Sequence, residues 1–283
     1  MKKLLSLLLN ATLATLCATA SAQQAETVWI PMSADAGAPA VKLEATLYRT
    51  PNAGPVPVVM FHHGSSGGPI PANYTERAQG LAKFLNARGV ALIVPMRAGR
   101  GQSEGVDNEQ PSACTVAATQ AGMRNASAAV DATLQWLRAQ PWPDMSRVVM
   151  AGHSRGGLLS VAYAAAHPDA VRGSINFSGG WKDDRCGDVD VNAVAFEAAG
   201  KAPQRVPSLF LYARGDGFYA DASMEKYGRV FEGAGGDVTF RMYAFDDVNG
   251  HLLFRRKQAL WEADVAAFLA RIGLEAGGAR QAP

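Results

Sequence analysis

Cysteine is scarce in this 283-residue chain, which has three. No Cys-x-x-Cys and no His-x-x-x-His occurs, so the spacings that hold zinc are missing. An excess of charge is missing too: 27 Lys and Arg stand against 25 Asp and Glu. That balance leaves no basic footprint for nucleic acid or for an anionic membrane surface. There is no internal repeat, and the one biased tract is the Gly/Ala-rich tail after Glu275. The N-terminal apolar run, Leu4 to Ala18, follows Lys2 and Lys3, is interrupted by Asn10, and ends in Ala20-Ser21-Ala22. It is short for a membrane anchor and has the parts of a secretory signal peptide over residues 1–22, with cleavage expected before Gln23. Leu16 ahead of Cys17 lacks the small residue of a lipoprotein signal. The expected product is an exported protein, periplasmic or secreted, with no stable membrane insertion. Loss of two lysines brings it close to neutrality. Cleavage removes Cys17 and leaves Cys114 and Cys186, an expected disulfide in an oxidising compartment.

What is present is a core. Nearly half of the residues (48%) are hydrophobic, enough for a single α/β domain over residues 23–283. Eight short apolar runs read as strands: ETVWIPM (26–32), VKLEATLY (41–48), PVPVVMFHH (55–63), VALIVPM (90–96), RVVMAG (147–152), VRGSINFS (171–178), VPSLFLYA (206–213) and VTFRMYAF (238–245). Most are rich in Val, Ile, Leu and Phe and bounded by Gly or Pro, as strands buried on both faces require. Helical stretches alternate with them from about residue 72. Ala126, Val130, Leu134 and Leu137 make one apolar helical face, and Trp261, Val265, Phe268 and Ile272 repeat the pattern. Two early strands followed by regular β–α alternation predict a mostly parallel eight-stranded sheet flanked by helices on both faces. Residues 99–122 and 178–206 break the alternation. Each segment leaves the carboxyl end of a strand, where open α/β sheets place ligands, and Cys114 and Cys186 lie one in each.

The chemistry gathers at the same ends. Gly152-His153-Ser154-Arg155-Gly156 follows one strand and runs directly into a helical stretch. Gly-x-Ser-x-Gly in that setting is a nucleophile elbow, which exposes the serine hydroxyl above the sheet. A serine needs a base, and the base an orienting carboxylate. His251 is the only histidine after His167, and His167 reads as a helix end. Asp216 directly follows its strand, whereas Asp221, Asp246 and Asp247 read as solvated carboxylates. The order Ser154, Asp216, His251 is that of this architecture. A developing oxyanion needs donors. The turn His62-His63-Gly64-Ser65 is expected to supply the backbone N–H of Ser65, and the helix start that of Arg155. Adjacent His62 and His63 make a poor metal site, and no metal or cofactor is expected. Trp181, Phe218 and Tyr219, near strand ends, are candidate walls of a substrate pocket. Arg97, Arg100 and Arg155 are candidates to attract a carboxylate.

The His-Gly turn at 63–64, RAGRGQSEG at 97–105, GHSRGG at 152–157, ARGDGFYAD at 213–221 and NGHLLF at 249–254 together resemble the α/β-hydrolase superfamily. Within it, they are similar to the dienelactone-hydrolase-like branch of exported serine hydrolases. Dienelactone hydrolases proper use cysteine where this chain has Ser154. The resemblance therefore implies cleavage of carboxylic esters through an acyl-enzyme on Ser154, acting on a small-molecule substrate without a cofactor. The rival readings are a serine peptidase or amidase on the same fold, and a catalytically inactive binding relative.

Overall fold

The computed structural model describes residues 25–33, 40–51, 54–65, 71–109 and 113–274. The expected signal segment, the tail after Glu275 and residues 66–70 beyond the His-Gly turn lie outside the described residues.

The apolar runs fold as strands: β1 (Glu26–Met32), β2 (Val41–Tyr48), β3 (Val56–His62), β4 (Ala91–Pro95), β5 (Pro143–His153), β6 (Gly173–Phe177), β7 (Ser208–Ala213) and β8 (Val238–Tyr243). They form one sheet in the order β1-β2-β4-β3-β5-β6-β7-β8. β2 pairs antiparallel with both β1 and β4. From β4 to β8 every pairing is parallel. The protein has the α/β-hydrolase fold.

Alternation along the central strands divides the core between two faces. Val58 and Met60 of β3, Val148 and Met150 of β5, and Phe210 and Tyr212 of β7 share one cluster. That cluster is closed by α2 (Val116–Arg138), α3 (Arg155–Ala166), α4 (Val191–Gly200) and α5 (Asp221–Gly233). Ala126, Val130, Leu134 and Leu137 join it from α2, as their spacing predicts, together with Ala129 and Ala132. The intervening residues Val59, Phe61, Val149, Ala151, Leu209 and Leu211 face the other side. There they meet Leu81 and Leu85 of α1 (Gln79–Asn86) and Trp261, Val265 and Phe268 of α7 (Gln258–Arg271). Each such side chain contributes about 1.5–3 kcal/mol on burial.

The two segments that break the alternation both contain helix. Helix α2 starts at Val116, inside 99–122, because Thr115 caps it and accepts from the N–H of Ala118 at 3.2 Å. Helix α4 lies inside 178–206, where Asp190 accepts from the N–H of Ala193 at 2.9 Å. In both places the cap residue marks the start. A disulfide joins Cys114 to Cys186, 72 residues apart in sequence, with their Cα atoms 5.3 Å apart. It ties the approach to α2 to the loop between β6 and α4, over the carboxyl end of the sheet.

Candidate active site

Ser154 stands between the end of β5 and the start of α3, with φ 56° and ψ −123°. A non-glycine residue pays on the order of 1–3 kcal/mol for such a conformation, so the surroundings must impose it. Its N–H donates to the carbonyl of Phe177 at 2.9 Å, and its own carbonyl accepts from Gly157 at 2.9 Å and Gly180 at 3.2 Å. The flanking glycines are steric necessities. A Cβ on Gly152 would lie 2.2 Å from the carbonyl oxygen of Gly156, and one on Gly156 would lie 2.0 Å from that of His62. The N–H of Arg155 opens α3, where no preceding turn offers it a carbonyl.

The His-Gly turn passes directly over the serine: a Cβ on Gly64 would stand 3.1 Å from the Cβ of Ser154. Ser65, half-buried, is the last described residue of this turn. The turn is braced from below. His63 Nδ1 donates to the carbonyl of Gly64 at 2.6 Å, and its Nε2 accepts from the N–H of Arg97 at 3.1 Å. The Arg97 side chain donates to the carbonyl of His63 at 2.9 Å. It also grips both oxygens of Glu109, at 2.5 and 3.0 Å, and Arg97 is only 1% exposed. Burial and the Arg97 charge push the His62 imidazole down to about 3, and hold His63 well below the ordinary value. Both rings are therefore neutral structural groups. No cluster of three or more metal-ligating side chains occurs among the described residues.

Asp216 lies in the loop after β7, its side chain fully enclosed. One carboxylate oxygen accepts from the N–H groups of Phe218 at 2.8 Å and Tyr219 at 3.3 Å. The other accepts from His251 Nδ1 at 2.7 Å. The proton on Nδ1 leaves Nε2, on the far edge of the ring, as the basic nitrogen. Asp221 takes a supporting place instead, as the first residue of α5. Its carboxylate accepts from Arg214 at 2.9 Å and from the N–H of Gly215 at 3.1 Å. Asp247 pairs with Lys257.

His251 sits in a 3₁₀ turn, Gly250–Leu252, followed by α6 (Leu253–Arg256). Phe254 anchors it, stacked on Phe61 with ring centroids 4.5 Å apart and on Trp261 at 6.0 Å. Two residues that the sequence reading did not single out fix the turn. Asn249 Oδ1 accepts from the N–H groups of both Gly217 (3.0 Å) and His251 (2.9 Å), stapling the Asp216 and His251 loops together. His153 Nε2 donates to the His251 carbonyl at 2.8 Å. Burial, with the neighbouring His251, holds the His153 ring well below its ordinary pKa and hence neutral. The asparagine directly before His251's glycine and the histidine before Ser154 were visible signals, but neither has a periodic or spacing signature.

The three aromatic candidates occupy different places. Phe218 is about half exposed, its ring centroid 4.5 Å from that of His251. Tyr219 is buried, with its ring centroid 5.7 Å from that of His251 and its hydroxyl against Gly180. Trp181 is 2% exposed and packs against α2 at Gly122. Its carbonyl accepts from Arg155 Nε at 3.1 Å, and its ring lies under the Arg155 guanidinium. Burial lowers the Arg155 pKa, and the nearby Glu109 charge opposes that shift. Arg100 pairs with Asp107 at 3.2 Å.

Comparison with known proteins bears on this geometry. Among solved structures, an esterase of Pyrococcus furiosus matches with a TM-score of 0.64 at 13% identity, over 89% of this chain and 92% of that one. Est1E of Butyrivibrio proteoclasticus with ferulic acid bound matches with 0.63 at 16%, over 87% and 100%. A Klebsiella pneumoniae protein assigned as a dienelactone hydrolase matches with 0.60 at 16%, over 89% and 99%. These likenesses are likenesses of fold. No curated protein matches this chain by sequence. Residues 36–185, a little over half of the chain, match the family model of the X-Pro dipeptidyl-peptidases (S15 family). With its eight-stranded sheet and the elbow at Ser154 inside the matched segment, the chain is a hydrolase that belongs to the X-Pro dipeptidyl-peptidase (S15) family.

Proposed function

We propose that the protein is a serine hydrolase that cleaves carboxylic esters of small molecules through an acyl-enzyme on Ser154. The observation that carries this reading is the enclosed Asp216–His251 pair, with Oδ2 and Nδ1 2.7 Å apart, at the end of the sheet that also holds Ser154 in its strained turn. His251 Nε2 takes the Oγ proton as Oγ attacks the ester carbonyl, a general-base step worth about 10²–10⁴-fold. The N–H groups of Arg155 and Ser65 receive the developing oxyanion, each such donor contributing about 10²–10³-fold. His251 returns the proton to the departing alkoxide. It then activates water to release the acid, while Asp216 maintains the imidazole tautomer. No cofactor enters these steps.

The family name favours a second reading, a dipeptidyl-peptidase. Such an enzyme must hold the free ammonium of its substrate's N-terminus close to the nucleophile. Beside Ser154, however, the charged neighbour is the Arg155 guanidinium. The carboxylates around it are engaged: Glu109 by Arg97, Asp216 by His251, and Asp184 by the N–H of Ala220 and the hydroxyl of Tyr227. That charge pattern and the esterases of like fold support the ester reading. The test compares p-nitrophenyl acyl esters with aminoacyl-prolyl p-nitroanilides. Turnover of the esters alone, abolished by Ser154→Ala, is expected; turnover of the anilides alone overturns it. The disulfide and the N-terminal apolar run support export with removal of residues 1–22. No helix among the described residues is long and apolar enough to cross a membrane.

A further inference from the structure

The turn that carries Asp216 is gripped from outside by a second aspartate. Between β7 and α5 the main chain passes through Gly217 to Ala220, and a side chain claims each N–H on the way. Gly217 donates to Asn249 Oδ1 at 3.0 Å, and Phe218 and Tyr219 donate to Asp216 Oδ1 at 2.8 and 3.3 Å. The fourth N–H, of Ala220, donates to Asp184 Oδ2 at 2.6 Å. Asp184 belongs to the loop between β6 and α4, and it holds the turn a second time: its own N–H donates to the Phe218 carbonyl at 3.0 Å. Its other oxygen accepts from the Tyr227 hydroxyl at 3.2 Å, which accepts in turn from Asn192 Nδ2 at 3.1 Å. The loop that bears Asp184 is firmly mounted. Asn192, 2% exposed, accepts from the N–H groups of Trp181 (2.7 Å) and Lys182 (3.2 Å) and donates to the Lys182 carbonyl at 2.6 Å. On one side of Asp184, Gly180 donates to the Ser154 carbonyl at 3.2 Å; on the other, Cys186 is bonded to Cys114. One loop thus holds the turn of the nucleophile and the turn of the acid together.

We propose that Asp184 is a positioning residue, which acts through the turn 217–220 to keep Asp216 aimed at His251 Nδ1. This rests on the serine-hydrolase reading above. The Phe218 carbonyl and the Tyr219 N–H belong to one planar peptide unit, so a bond that fixes the carbonyl also orients the N–H. Asp184 fixes that unit by its own N–H, and fixes the next one by accepting from Ala220. The donors that hold Asp216 Oδ1 are thereby aimed, and the other oxygen is left facing Nδ1 at 2.7 Å. Bonds from an N–H to a carboxylate are charge-assisted and roughly twice as strong as neutral ones, which suits them to fixing a turn. Without Asp184 the peptide units can tilt, the carboxylate can rotate away from Nδ1, and the imidazole loses its fixed tautomer. Asp184 is itself exposed and fills no part of the core, so its truncation opens no cavity. Ala220, the residue before α5, has no side-chain oxygen to cap that helix, so the rival role for Asp184 is that of a brace for α5 alone.

The test compares Asp184→Ala and Asp184→Asn with wild type, using a short-chain p-nitrophenyl ester as substrate and a fluorophosphonate as probe of Ser154. A turn that drifts by up to about 1 Å predicts a fall in kcat of about 10–100-fold in Asp184→Ala. KM should stay within about threefold, and labelling of Ser154 should slow by a factor similar to that in kcat. In proton NMR the downfield resonance of the Nδ1–H···Oδ2 hydrogen bond should broaden relative to wild type. Asp184→Asn keeps an oxygen for the Ala220 N–H and an amide to meet the Tyr227 hydroxyl, so its kcat should stay within about threefold of wild type. Unchanged kcat in Asp184→Ala, whatever happens to Tm, overturns the inference and leaves Asp184 a brace of α5. So does a raised KM at constant kcat, or an Asn variant as slow as the Ala variant, which assigns the loss to charge. In all of those cases wild type still labels on Ser154; wild type that takes no label overturns the reading on which the inference rests.

Discussion

Replacing Arg97 with Met tests how the turn over Ser154 is held. The thioether side chain preserves most of the apolar stem and removes every guanidinium donor. Three hydrogen bonds vanish: two to Glu109 and one to the carbonyl of His63. The main-chain bond from residue 97 to His63 Nε2 survives. The Glu109 side chain is 7% exposed, so its carboxylate is left enclosed without its bidentate partner. Breaking a buried pair in this way costs about 3–5 kcal/mol. At about 2–4 °C per kcal/mol for a domain of this size, Tm should drop by roughly 6–20 °C. Urea titration with a constant m-value measures the loss directly. The double variant Arg97→Met/Glu109→Leu removes the stranded charge as well and should recover at least half of the deficit. Release of the His63 carbonyl lets the turn shift beside Ser154, and a displacement of about 1 Å there costs up to about 10²-fold in kcat. A loss under about 1 kcal/mol with unchanged kcat, or a double variant no better than the single one, would refute the bracing role.

Acid should destabilise the protein through its buried neutral imidazoles. His62, His63 and His153 all have pKa values depressed in the fold below the ordinary 6.5, so the unfolded chain binds the extra protons. Their contribution is fully present above about pH 6.5 and is lost progressively below it, for His62 down to about 3, at about 1.4 kcal/mol per pH unit each. Stability curves measured between pH 7 and pH 5 should flatten by that amount in His62→Leu; an unaltered slope contradicts the assignment. Reducing the Cys114–Cys186 disulfide, which spans 72 residues, should lower stability by about 4 kcal/mol on chain-entropy grounds, measured by urea titration with and without reductant. Asn249→Ala strips the shared acceptor of Gly217 and His251, and should cost about 1–3 kcal/mol with a larger effect on kcat than on KM. Equal stability and kinetics would remove the staple from the account.

The strands were legible because a parallel sheet covered on both faces demands unbroken apolar runs, and Val-Val-Met-Phe or Leu-Phe-Leu-Tyr can do little else. Gly-His-Ser-Arg-Gly was legible because steric exclusion leaves glycine alone at Gly152 and Gly156. Asp216 was legible as a carboxylate that directly follows its strand, and His251 as the only histidine after His167. The starts of α2 and α4 were harder. Both helices begin in alanine-rich sequence beside polar loops, and only Thr115 and Asp190 announce them. The brace and the staples were not legible at all. Arg97 meets Glu109, and Asn249 meets Gly217, across loops whose mutual approach is set by the sheet order. Trp181 shows a different case: an aromatic near a strand end that the fold buries against α2.

The central claim is that Ser154 is a nucleophile activated by the His251–Asp216 pair. Incubation of the folded protein with a fluorophosphonate, followed by peptide mass spectrometry, measures it directly. One adduct is expected, on Ser154, formed at a rate that falls by several orders of magnitude in His251→Ala while the melting profile stays cooperative. An unlabelled Ser154, or a labelling rate indifferent to His251, would contradict it.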